Sequence, residues 1–232
     1  MTSGSYQQFC PVSMAAEILC TRWTMVLVRE LVAGTTRFND LRRGMPRMSP
    51  ALLSKRLKEL EDNGIVKRVP VPGEPGVMEY HLTPSGKELG PIVDAMGIWG
   101  QRWTETQPQL EKLDAGLLMW DMRRNIQVPE LPRQRSVIQF IYPERRPTER
   151  NWWLVVDPKE GIDLCMVEPG FDVDLFVHTD LRTMTAIWMG LDTVAKATQE
   201  ERLVLTGDKT LQKNMLKWLG LNPLASVPKQ VA

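Results

Sequence analysis

The stretch Arg47–Arg68, R-M-S-P-A-L-L-S-K-R-L-K-E-L-E-D-N-G-I-V-K-R, leaves the backbone few choices. Ser49 is a natural N-cap, Pro50 suits the first helical position, and Gly64 is placed to end the helix left-handed. Leu53, Leu57 and Leu60 recur at helical spacing and make the face that packs inward. Ala51, Ser54, Lys55 and Lys58 fall largely on the other side, small near the N-terminus and cationic further along. Such a helix is about 22 Å long at 1.5 Å per residue, enough to lie in a major groove about 12 Å wide. Short side chains near base edges and cations near phosphates are what a DNA-reading helix needs. An ordinary amphipathic surface helix would carry the same pattern, so the neighbouring segments must decide.

Charge is the first of these. The 232 residues sum to +1, yet Arg37, Arg42, Arg43, Arg47, Lys55, Arg56, Lys58, Lys67 and Arg68 stand against only Asp40, Glu59, Glu61 and Asp62. Nine cations less four carboxylates leave +5 in one segment of a nearly neutral chain. That is the electrostatic footprint of a phosphate-binding face. The candidate DNA-contacting residues are Arg37, Arg42, Arg47, Ser49, Ala51, Ser54, Lys55, Lys58 and Arg68.

The flanking pattern supplies the rest of a motif. Ser13 to Val32 carries Met14, Ile18, Leu19, Trp23, Val26, Leu27 and Leu31 in helical rhythm, ending near Gly34. Phe38 and Leu41 mark a short helix that stops before Pro46. After the capped helix, Ile65, Val66 and Val69 read as a strand and Val77–Leu82 as its partner, with Pro70–Gly76 (P-V-P-G-E-P-G) as the hairpin tip. Thr83-Pro84 then opens a closing helix expected to run through Leu89, Ile92, Val93, Met96, Trp99 and Trp103. Three helices, a two-stranded wing and a closing helix make a winged helix-turn-helix, with Lys67 and Arg68 carried on the wing.

These residues also carry a family resemblance. Cys10-Pro11-Val12, Arg22-Trp23, L-V-R-E-L at 27–31, R-F-N-D-L at 37–41, L-S-K-R-L-K-E-L at 53–60, N-G-I-V at 63–66 and E-Y-H-L-T-P-S-G at 79–86 follow one another in order. Over about residues 8–104 the chain is similar to the HxlR-type transcriptional regulators. The resemblance implies a dimeric, sequence-specific DNA-binding protein related to the MarR type, its dimer built from the first helix and the helix after the wing. Family members often carry a tyrosine in the wing, which Val69–Gly73 lacks. Trp99 and Trp103, one turn apart, suit either a dimer contact or the closing of a core. A two-fold dimer sets its recognition helices about 34 Å apart and predicts a palindromic operator.

Cys10 precedes the first helix, where a thiol pKa is lowered. It stands where some family members resemble thiol sensors, so it is a redox candidate, the alternative being a small residue filling the dimer base. Cys20, on an apolar helix face, is expected in the core. Three cysteines without C-x-x-C spacing imply neither a disulfide scaffold nor a zinc site. His81 and His178 have no companion pattern. No metal and no cofactor are expected.

The composition turns polar from Thr104 to about Leu113, giving expected domains 1–107 and 108–232. The second half mixes helix and strand: a helix over Leu113–Met122, strands over Val137–Tyr142, Trp152–Val156, Ile162–Val167, Asp172–Thr179 and Arg202–Thr206, short helices over Leu181–Met189 and Thr193–Ala197, and a last helix bearing Leu211, Met215, Leu216 and Leu219. It is rich in tryptophan and methionine, which line pockets for apolar molecules as readily as they fill cores. Asp172 and Asp174 share a strand face, but no nucleophile–base pair, phosphate loop or carboxylate cluster emerges, so no enzymatic activity is expected.

The run V-D-L-F-V-H-T-D-L-R-T-M-T-A-I-W-M-G-L-D-T-V-A-K-A from Val173, followed by R-L-V-L-T-G-D, resembles the lipid-binding fold of sterol carrier proteins over roughly residues 112–222. That resemblance implies a five-stranded sheet with helices enclosing an apolar cavity. The candidate ligand-binding residues are Trp120, Phe140, Trp152, Leu154, Met166, Phe176 and Trp188.

The expected fold class is therefore α+β: an N-terminal winged helix-turn-helix plus a C-terminal five-stranded sheet with helices. The expected protein is a dimeric DNA-binding transcriptional regulator. Its partners are double-stranded DNA, an apolar small-molecule or lipid effector and a second copy of itself. The alternative is a thiol-based redox or electrophile sensor acting through Cys10, with the second half as a dimerisation scaffold. A polar N-terminus without a signal peptide, and no apolar run of roughly 18 residues, point to the cytoplasm and away from a membrane.

Overall fold

The computed structural model describes residues 5–105 and 113–231 and divides into two compact units, Met1–Ile98 and Trp99–Ala232. The expected boundary at 107/108, with Pro108, lies outside the described residues.

In the first unit α1 (Pro11–Leu19), α2 (Thr24–Val32), α3 (Phe38–Gly44) and α4 (Pro50–Asp62) precede an antiparallel pair, β1 (Val66–Pro70) and β2 (Met78–Leu82). The caps act as the sequence requires. Ser49 Oγ accepts from Leu52 N–H at 3.3 Å, and Gly64 takes φ +68° to leave α4. Leu53, Leu57 and Leu60 are buried against Leu27, Val28, Leu31, Leu41 and Met45, each contributing roughly 2 kcal/mol from apolar burial. The expected single closing helix is instead two, α5 (Pro84–Lys87) and α6 (Gly90–Trp103). Pro91 explains the break: inside a continuous helix it would lack the N–H owed to Lys87 and clash with that carbonyl. Thr83 does cap α5, accepting from Gly86 N–H at 3.2 Å.

α1 buries no residue, and Cys20 beyond it is exposed rather than in the core. An apolar helical face predicts burial only where a partner covers it, and among the described residues α1 meets the core only through the half-buried Leu19. Phe9, Val12, Met14 and Ile18, with Ile92, Met96, Trp99 and Trp103 of α6, are likewise exposed.

The second unit centres on a five-stranded sheet in the order β5-β4-β3-β6-β7, with β3 and β6 parallel and every other pair antiparallel. The strands are β3 (Ser136–Ile141), β4 (Asn151–Asp157), β5 (Gly161–Cys165), β6 (Leu175–Thr179) and β7 (Leu203–Gly207). The helices are α7 (Ala115–Asn125), α8 (Pro147–Arg150), α9 (Leu181–Trp188), α10 (Val194–Gln199), α11 (Lys209–Lys213) and α12 (Met215–Leu219). Asp114, Asp180, Thr193 and Asp208 cap α7, α9, α10 and α11. The expected last helix divides at Asn214, and α8 and a 3-10 turn at Val128–Glu130 are additions. β6 begins at Leu175, so Asp172 and Asp174 do not share a strand. Asp174 clips the entry of β3 instead, its Oδ2 accepting from Val137 N–H at 2.8 Å.

Strand parity then decides the core. Ile138, Phe140, Trp152, Leu154, Val156, Leu175 and Val177 face helices carrying Met119, Met122, Leu181, Met184, Trp188, Met215 and Trp218. Val137, Trp153 and Val155 form a smaller cluster on the opposite face with Cys165 and Val173. Trp152 and Trp153 therefore face opposite ways, as adjacent strand residues must. Among the described residues no single helix is long and apolar enough to cross a membrane.

Candidate nucleic-acid interface

α4 offers its outer face as the sequence pattern requires: Ala51, Ser54, Lys55 and Lys58 are exposed opposite the buried leucines. Ser49 is exposed too, but its hydroxyl serves as the cap. Arg42 and Arg47 are exposed at the end of α3 and in the turn before α4. Lys67 and Arg68 project from β1.

The structure shows how these charges are spent. Arg43 pairs with Asp40 at 3.6 Å, Lys55 lies 4.0 Å from Glu59, and Arg56 pairs with Glu59 while its Nε donates to Arg22 O at 3.3 Å. Lys58 donates to Asp62 at 2.7 Å, and this hydrogen bond, aided by the Asp62 charge, raises the ammonium pKa above its usual value. The Arg68 charge acts on Lys58 in the opposite direction. Like charges are thus gathered where the C-terminal half of α4 approaches β1. Arg42, Lys67 and Arg68 make no ion pair among the described residues. Each of the segment's four carboxylates is matched to a cation, which leaves Arg42 on α3 and Lys67 and Arg68 on the wing strand.

Arg37 is placed differently. Its guanidinium donates to both oxygens of Glu74 in the wing tip, at 3.1 and 2.5 Å, and its Nε lies 3.5 Å from Glu79. These carboxylates, Glu74 first, hold its pKa above the ordinary guanidinium value. Glu79 in turn is lowered, chiefly by its 2.9 Å contact with His81 Nε2.

Three residues that hold the motif together escaped the sequence reading. Glu30 is fully buried, ion-paired with Arg29, and receives a 3.5 Å contact from Thr35 Oγ1. Arg29 also donates to Gly44 O at 3.3 Å, tying α2 to the end of α3. Gly44 sits directly against the Glu30 carboxyl, where an added Cβ would lie 2.1 Å from Oε2. A signal was present: Glu30 falls on the same helical stripe as Leu27 and Leu31, where a carboxylate must be buried and paired.

Cys10 is exposed as the N-cap of α1, and hydrogen bonds from the Ser13 and Val12 backbone N–H groups lower its thiol pKa.

Of the candidate ligand-binding residues in the second unit, Phe140, Trp152, Leu154 and Trp188 meet in one core. Trp120 is buried outside that cluster, with Arg123 and Arg124 at 5.1 and 5.9 Å over its ring. Met166 lies beyond the end of β5 and is exposed. Phe176 alternates with Leu175 and Val177 and so faces away from the core they enter. The helix-covered face therefore gathers four of the seven. Tyr142 adds a polar group there: its hydroxyl donates to Met119 Sδ at 3.2 Å, and burial pushes its pKa up.

Residues 18–108 match the family described as HxlR-like helix-turn-helix. An uncharacterized HTH-type transcriptional regulator of Bacillus subtilis, YvaP, is 39% identical over 99 residues, which is 42% of this chain and 92% of that protein. The HTH-type transcriptional regulator YodB of the same organism is 34% identical over 97 residues, 41% of this chain and 87% of its own length. A solved structure titled as the redox regulator HypR in its reduced form is 34% identical, covering 44% of this chain and 98% of that one, with a TM-score of 0.38.

Proposed function

Because the chain belongs, through its N-terminal part, to the HxlR-like helix-turn-helix transcriptional regulators, we propose that it binds a palindromic operator as a homodimer and responds to an apolar small molecule or lipid through its second unit. The observation that carries the DNA half is the division of α4 into a buried leucine face and an exposed face running from Ala51 to Lys58, flanked by Arg42 and Arg68. α4 enters the major groove, and Lys67 and Arg68 track the adjacent backbone. The exposed apolar side chains of α1 and α6 support a dimer, since large uncovered apolar patches mark interaction surfaces.

The sensor half rests on a different observation. A five-stranded sheet carries helices on one face and gathers Phe140, Trp152, Leu154 and Trp188 with several methionines between them. That arrangement accords with the sterol-carrier-like reading, and adaptable side chains of this kind accept apolar ligands. The protein acts as a regulator rather than an enzyme.

The DNA assignment is tested by salt dependence. Lys55→Ala and Arg68→Ala should each weaken binding to a selected operator and reduce the slope of log K against log salt by about 0.9, one phosphate contact. Unchanged slopes would remove both residues from the interface. The sensor assignment is tested by tryptophan emission and thermal midpoint across acyl chains, sterols and aromatic compounds. A flat response in both counts against it.

A second reading is favoured by one observation, the exposed Cys10 thiol with its lowered pKa. Oxidation there would modulate operator binding. A Cys10→Ser protein that releases operator under diamide with wild-type dose dependence rules this out.

A further inference from the structure

The wing of the first unit is held by more than its own ladder. β1 and β2 pair from Val66 with Leu82 to Pro70 with Met78, and the tip beyond them closes through Val71 and Val77. A two-stranded hairpin is marginal by itself. The segment entering α3 supplies the missing support. Tyr80 N–H donates to Thr36 O at 2.8 Å, Arg37 bridges Glu79 through the backbone, and the Arg37 side chain reaches Glu74 at the tip. Arg37 is the N-cap residue of α3, but a guanidinium has no acceptor with which to cap helix N–H groups, and its donors are directed to the wing.

Its Nη1 and Nη2 meet the two Glu74 oxygens in a fork, and its Nε lies toward Glu79. A bidentate arginine–carboxylate pair fixes geometry as well as charge. A DNA phosphate would have to displace Glu74 to take that fork.

We propose that Arg37 is a positioning residue that clasps the wing tip through Glu74, and does not itself contact phosphate. The assignment rests on the DNA-binding reading above, but it predicts the opposite sign for one substitution. If Arg37 held a phosphate, Glu74 would compete with DNA, and Glu74→Gln would tighten binding. If the pair clasps the wing, Glu74→Gln weakens binding as Arg37→Gln does.

The experiment uses the full chain and a duplex enriched by the wild-type protein from a random 20-base-pair library. Both side chains of the pair are more than two-fifths exposed, so the effect is modest: roughly a two- to fivefold loss of affinity for either variant. The double variant should be no weaker than the singles, with an unchanged salt slope. Amide exchange of the free protein supplies a readout without DNA, and the Val77 N–H, which donates to Glu74 O at 3.1 Å, should exchange faster in both single variants. Tighter binding by Glu74→Gln, or a slope reduced by about 0.9 in Arg37→Gln, overturns the proposal. If no duplex is enriched, the DNA-binding reading fails separately, and unchanged Val77 exchange in both variants then overturns the clasp.

Discussion

Gly44→Ala is the most informative single perturbation of the first unit. Gly44 is the last residue of α3, and a Cβ there would lie 2.1 Å from both Cδ and Oε2 of Glu30 and 2.6 Å from Oε1. Contact distance is about 3.5 Å, so the carboxyl must retreat by roughly 1.4 Å. The carboxyl is fully buried and paired with Arg29, so a retreat that clears the Cβ disrupts that pair. Only the Glu30 end of this pair is buried, and disturbing the pairing of a buried carboxylate costs up to about 3–5 kcal/mol, while replacing a helical glycine by alanine recovers about 0.5–1 kcal/mol. The net loss is roughly 2–4 kcal/mol. Amide exchange in α2 and α4 of the full chain reads this loss in the first unit alone, where 1.4 kcal/mol is about tenfold. The expected acceleration is roughly thirtyfold or more. Gly34→Ala is the control, since its site has open space and only the left-handed φ of +87° to oppose it, a cost of about 1–2 kcal/mol. Adding Glu30→Ala to Gly44→Ala removes the obstructing carboxyl and lets the half-exposed Arg29 turn to solvent, so the two changes should be non-additive. Wild-type exchange in Gly44→Ala, or simple additivity in the double variant, refutes the packing argument.

Three further outcomes concern the second unit. Gly207→Ala should strongly destabilise it, because at φ +129° its Cβ would meet Asp174 O at 2.2 Å; an unchanged denaturation midpoint would contradict the close approach of β7 to the entry of β6. Asp180→Ala removes an N-cap that accepts from Thr183 N–H at 2.8 Å and Thr183 Oγ1 at 2.6 Å, and should cost about 1–2 kcal/mol in chemical denaturation. Asp157, the last residue of β4, is held below the usual carboxylate pKa first by the Lys159 N–H, then by Glu160 N–H and Arg135. A lowered folded pKa means its contribution is present above the unfolded value and is lost as pH falls through the folded one. Asp157→Asn should therefore lose less stability on acidification, and a carboxyl that titrates by NMR at or above the ordinary value removes that cause.

The elements readable from sequence were those whose signal is local. Ser49, Pro50 and Gly64 bracket α4 because caps and proline act within one helical turn. The strands of the second unit were legible because alternation follows from the pleat, whatever the neighbours. Pro91 carried a local signal too, and the apolar rhythm on either side of it hid the break between α5 and α6. Alternation also separated Phe176 from Leu175 and Val177; grouping it with Phe140 as a ligand contact set composition above parity, and parity prevailed.

The interface residues divide along a similar line. Helical period assigns Lys55 and Lys58 to an exposed face, but it says nothing of what a charge on that face is paired with. Arg37 and Glu74 are 37 residues apart, and only the fold brings the wing tip back to the start of α3. Net charge in a window therefore counts cations without showing which are free to meet phosphate. The +5 counted between Arg37 and Arg68 includes an arginine neutralised from outside the window, by carboxylates at Glu74 and Glu79. A basic segment marks a candidate phosphate face, and the distances to every carboxylate around it determine which of its members can serve there.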